Sequence, residues 1–106
     1  MAGVKSGTQI MMDFNKARSQ ATKLENAAAS IRREANRFTQ CRSDVAASWT
    51  GDNASRFVNK MGLVSEDLMK IAKNLEQTAA TIRKNAKTIY DAEMEAKRIA
   101  EIRTSR

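Results

Sequence analysis

The chain has no proline, no histidine, four glycines and one cysteine in 106 residues, and only 5% of it is aromatic. Each shortage removes a class of protein. β-Sandwiches and barrels need a turn roughly every 8–12 residues, built with glycine and proline, and that supply is missing. A βαβ unit with phosphate-cradling glycines is disfavoured for the same reason. The lone Cys41 has no intrachain disulfide partner, and without histidine the usual zinc sites and any histidine-based hydrolase are excluded. No run approaches the roughly 20 apolar residues of a membrane-spanning helix. The opening stretch, Met1 to Gly7, lacks the apolar segment of a conventional secretory signal, so export would have to be read from another part of the chain.

What is present is 42% hydrophobic and 29% charged, with 19 Lys+Arg against 12 Asp+Glu and a net charge of +7. The excess suits nucleic acid, an anionic membrane surface or an acidic protein partner. Arg32, Arg33, Arg37 and Arg42 form one basic run, and Arg83, Lys84 and Lys87 another. Such runs read first as solvated faces. Nucleic-acid binding needs aromatic platforms beside them, and the face expected to be exposed offers none, so a protein partner is favoured.

Apolar or small residues recur at Ile10, Phe14, Ala17, Ala21, Leu24, Ala28, Ile31, Ala35, Phe38 and Val45, in alternating steps of four and three interrupted only by Arg42. That is the seam of a coiled-coil-like helix, predicted over about 8–48 with Thr8 or Ser6 as cap. A second series runs through Ala54, Phe57, Met61, Val64, Leu68, Ile71, Leu75, Ala79, Ile82, Ala86 and Ile89. Two consecutive steps of four at Leu75 read as a stutter. Ala96 and Ala100 keep the phase, predicting a helix over about 52–103 with frayed last turns and a disordered 104–106. Between the helices stands Ser48-Trp49-Thr50-Gly51-Asp52-Asn53. Gly51 supplies the tight helix end, and Thr50, Asp52 or Asn53 can cap the next helix. So short a connection predicts an all-α antiparallel helical hairpin in a single domain, 1–106.

The apolar stripe is wider than a two-helix contact needs, which predicts a dimer of hairpins closing into a four-helix bundle. The expected interface is Phe14, Leu24, Ile31 and Phe38 on the first helix, with Phe57, Met61, Leu68, Ile71, Leu75 and Ile82 on the second. Gly62 suits close approach of a facing helix, and reads equally as a tolerated defect in the helix. Cys41 reads most simply as a small buried hydrophobe, with a disulfide across a dimer as the second reading, and Arg42 as a snorkelling side chain or a bridge that fixes register. Carboxylate pairs such as Glu66-Asp67 are sequential and point apart, and no polar cluster forms a pocket, so neither an enzyme nor a cofactor or metal site is expected.

Trp49-Thr50-Gly51 is a W-x-G corner at the midpoint of a proline-free helical chain of about a hundred residues. In this the chain resembles the WXG-hundred family, the small ESAT-like proteins of type VII secretion. The resemblance implies a homodimer or heterodimer with a related small helical protein, and export without a conventional signal peptide after a cytoplasmic stage. It also implies recognition by the type VII secretion ATPase, through the W-x-G corner and a C-terminal Y-x-x-x-[D/E] element. Here Tyr90 stands at the matching place, but Met94 occupies the acidic position and Glu93 and Glu95 flank it. Tyr90 with Glu93 can present a similar pair on one helix face. The departure leaves room for a partner that carries the signal. The expected recognition residues are therefore Trp49, Gly51, Tyr90 and Glu93. Trp49 also fits a plain plug over the bundle end, and Tyr90 with its acids an ordinary solvated helix end. The alternative function is a cytosolic adaptor or chaperone for the helical N-terminal domain of a larger secreted effector.

Overall fold

The computed structural model describes residues 4–105. It consists of two helices, α1 (Gly7–Ser48) and α2 (Asp52–Thr104). Of the two expected caps for α1, Ser6 is used: its hydroxyl accepts from the Gln9 amide at 3.1 Å, and its carbonyl takes the first helical bond from Ile10 at 3.0 Å. Gly51 caps α2, in place of the expected Thr50, Asp52 or Asn53. Its carbonyl accepts from the Ser55 amide at 3.0 Å, and Asp52 in the first turn complements the helix dipole. Gly51 holds φ at 109°, with open space where a Cβ would stand. Glycine is needed there for its backbone freedom and not for room. At the other end α2 includes Thr104, which the sequence placed in a disordered tail; Arg106 lies outside the described residues.

The chain divides into two units, Leu24–Gln77 around the corner and a second joining α1 up to Lys23 with α2 from Thr78 onward. In each unit the helices run antiparallel. In the corner unit Arg32 bonds Glu76, the Thr39 and Ser65 hydroxyls meet at 3.0 Å, and Arg42 lies over Gly62. In the second, Lys5 bonds Glu93 and Arg83 donates to the Thr22 hydroxyl at 2.9 Å. The fold is the expected antiparallel helical hairpin.

Alanine makes its core. Ala21, Ala28 and Ala35 on α1 and Ala72, Ala79 and Ala86 on α2 are buried, each set at heptad spacing, together with Ala54 and Ile10. A methyl contributes only about 0.8 kcal/mol on burial, but alanine loses no side-chain entropy and lets two backbones approach closely. One rim of the corner unit is polar: Ser65 donates to the Ala35 carbonyl at 3.1 Å, and Arg32 grips Glu76 with two nitrogens. The other rim carries the large side chains. Ile31, Phe38, Met61, Leu68 and Leu75 are half-buried, while Phe57, Val64 and Ile71, seven residues apart, are exposed.

This arrangement corrects the seam read for α2. The helix-facing positions are Ala54, Val58, Met61, Ser65, Leu68, Ala72, Leu75, Ala79, Ile82 and Ala86, in unbroken four–three steps. There is no stutter at Leu75. Phe57, Val64 and Ile71 belong to a neighbouring stripe that shares Met61, Leu68 and Leu75 with the seam. The shift of phase comes later, after Ala86, where burial passes to Tyr90, Glu93, Lys97 and Ala100 while Ile89 is exposed. A straight helix drifts by about 20° per heptad against a 3.5-residue repeat, and here the drift carries the contact one position around.

Two further expectations change. Cys41 is exposed, because small alanines already close the contact and leave it outside. The neighbour that Gly62 admits is the guanidinium of Arg42, not a helix backbone: a Cβ there would stand 3.2 Å from its central carbon. That guanidinium ends a flexible chain and can move. Gly62→Ala should therefore keep most of the alanine advantage in a helix and raise stability by about 0.5–1 kcal/mol, read as a higher urea midpoint.

The Arg32–Glu76 pair also sets a pH response. The Arg32 hydrogen bonds hold the Glu76 carboxyl below its ordinary value of 4.5, against a smaller opposing effect of desolvation. A carboxyl with a lowered folded pKa stabilises fully above its unfolded value, and that contribution is lost as pH falls through the folded one. Thermal midpoints should therefore drop on acidification below about pH 4.5, and Glu76→Gln should flatten that part of the profile.

Candidate functional site

Two places gather the residues that the sequence singled out. At the corner, α1 ends with the Trp49 amide bonded to the Val45 carbonyl at 2.8 Å, and Gly51 turns the chain into α2. The Trp49 ring is left 48% exposed, with Phe57 tilted against it at 6.2 Å between centroids. Beside them lies a shallow depression of about 350 Å³, lined by Ala46, Trp49, Gly51, Ala54, Val58 and Asn59 among others. An exposed indole edge next to a small-residue hollow offers an apolar contact with a polar tip, suited to protein recognition.

In the second unit Tyr90 and Glu93 do share a face, and it is the one turned toward α1. Tyr90 is half-buried against Phe14, their rings 4.8 Å apart and tilted by 38°. The Arg18 guanidinium covers Phe14 at 5.5 Å, a cation–π contact. Glu93, with 23% of its side chain exposed, accepts from the Lys5 amine at 3.1 Å. The same amine donates to Asp13 at 2.8 Å. Bonds first to Asp13 and then to Glu93 hold the Lys5 amine above its ordinary 10.5, and the Lys5 bond holds Asp13 below its ordinary 3.8. The second Glu93 oxygen is buried and has no hydrogen-bond partner among the described residues. Met94, at the position where the family motif has an acid, is exposed. Lys5 went unnoticed in the sequence because it precedes the periodic segment; its only signal was a cation just ahead of a helix cap.

Most of the expected interface residues fall along the apolar rim of the corner unit; Phe14, packed against Tyr90, and Ile82 lie in the second unit. Phe14, Leu24, Ile31, Phe38, Met61, Leu68, Leu75 and Ile82 are half-buried, and Phe57 and Ile71 are 40% and 47% exposed. Among the described residues no three carboxylates or thiols gather as a metal site requires, and no helix is long and apolar enough to cross a membrane.

A W-x-G corner between two long amphipathic helices is the pattern of a known family. The family model WXG100, "proteins of 100 residues with WXG", matches residues 9–94. The chain belongs to that family. No curated protein and no solved structure matches it. The WXG100 proteins are the ESAT-like family of type VII secretion substrates, and they typically pair as dimers. Membership makes this chain a small type VII secretion-associated protein. The match covers both helices up to Met94, so it spans the corner as well as Tyr90 and Glu93.

Proposed function

We propose that the chain is an exported substrate, or the escort of one, that leaves the cell by type VII secretion as a dimer of hairpins. The observation that carries this reading is the apolar rim. The hairpin closes on alanine and leaves most of its large side chains half in water, which a sibling hairpin would cover. The partner is a second copy or a related small helical protein. In this reading the secretion ATPase docks on the Trp49–Gly51 corner and on Tyr90 with Glu93. The exposure of Trp49 beside Phe57 supports a recognition role over that of a buried plug. Chemistry plays no part; the work is docking between folded surfaces.

The test compares protein in culture supernatant with protein in cells, in a host that carries the matching secretion system. Trp49→Ala and truncation after Ile89 should each cut the exported fraction sharply while association persists. A Trp49→Ala chain that still pairs and is exported at the wild-type level would reject the recognition role, whereas a wild-type chain that stays in the cells and co-purifies one-to-one with a larger effector would favour the adaptor.

A further inference from the structure

We infer that the segment ahead of α1 is a clasp, which keeps the Tyr90–Glu93 element closed until a recognition partner displaces Lys5. The inference rests on the reading of that element as the one recognised for export. Val4 and Lys5 are outside the helix, and the Lys5 amine spans from Asp13 on α1 to Glu93 on α2. A single cation thus joins two carboxylates on the two helices, with the Phe14–Tyr90 ring pair beside them.

The segment is held by charge and not by packing. An open depression of about 240 Å³ lies among Val4, Lys5, Glu93 and Ala96. A second of about 250 Å³ lies among Lys5, Ile10, Phe14, Tyr90 and their neighbours. The Lys5 side chain is 45% exposed, and exposed ion pairs hold weakly and are screened by salt. Its removal does more than subtract two contacts. Asp13 and Glu93 are then left near each other as like charges, and one Glu93 oxygen is already without a donor. Repulsion pushes α2 away from α1 at this point and turns Tyr90 outward. A partner carrying its own cation can therefore take the place of Lys5 on Glu93 and gain access to Tyr90 in the same step.

The full chain tests this with amide hydrogen exchange and export measured side by side, and circular dichroism verifying helix content. Lys5→Met should speed exchange across residues 86–100 by about fivefold, leave 54–75 unchanged, and raise the exported fraction. Lys5→Arg, which keeps the cation, should match the wild type in both. Tyr90→Ala should block export. If Tyr90→Ala leaves export untouched, the element is not what the machinery reads, and the clasp falls with that reading. If Tyr90→Ala blocks export but Lys5→Met changes neither exchange nor export, or speeds exchange without raising export, the clasp is overturned and the reading stands.

Discussion

Replacing Ala72 with leucine should destabilise the hairpin by about 1–3 kcal/mol, a large effect for adding three carbons to a helix whose intrinsic preference hardly changes. Ala72 has no exposed surface, and Ala35 on the other helix is equally enclosed. Small side chains at the contact set the distance between backbones. A leucine at either position must push the helices apart or leave its rotamer, and parting them strains the Thr39–Ser65–Ala35 hydrogen bonds beside the contact. Ala35→Leu should behave alike, and the double variant should cost more than either alone. Ala80→Leu is the control: Ala80 is exposed, and its change should stay within about 0.5 kcal/mol. Urea titrations followed by circular dichroism measure all four.

The second large effect belongs to the other rim. Ile71→Glu and Phe57→Glu should leave the isolated hairpin folded, since both side chains already stand substantially in water. Association should suffer instead, by about 2 kcal/mol or more for each, roughly a 30-fold rise in Kd, because a carboxylate would be buried unpaired against an apolar neighbour. Sedimentation equilibrium of the chain alone, and with any sibling that co-purifies, gives the number. Helicity retained with association lost is the expected pairing of results. If association is equally tight, the partner sits elsewhere.

The two rims also explain what the sequence made readable. On α1 every seam position carries either alanine or a large apolar residue from Ile10 to Phe38, and the pattern has one phase. The predicted hairpin and its corner followed from that. On α2 two stripes share Met61, Leu68 and Leu75. The outer one holds Phe57, Val64 and Ile71, and the inner one Val58, Ser65 and Ala72. Hydrophobicity favours the bulkier stripe, so the pattern points to the outer surface and passes over the quieter one that closes the fold. The same small residues at the contact left Cys41 outside. Tyr90 and Glu93 were rightly placed on one helix face, but which way that face turns depends on the drift after Ala86. That drift is a property of the helix geometry and has no residue of its own to mark it.

The solitary tryptophan has a practical consequence. With a single indole in the chain, half in water at the turn and with one aromatic neighbour, Phe57, emission comes from one known spot. Anything that settles on the corner must dry that ring, shifting its fluorescence to the blue and shielding it from quenchers. Events around Tyr90 leave the colour unchanged. The molecule therefore carries its own dye, and docking at the bend can be watched without attaching one.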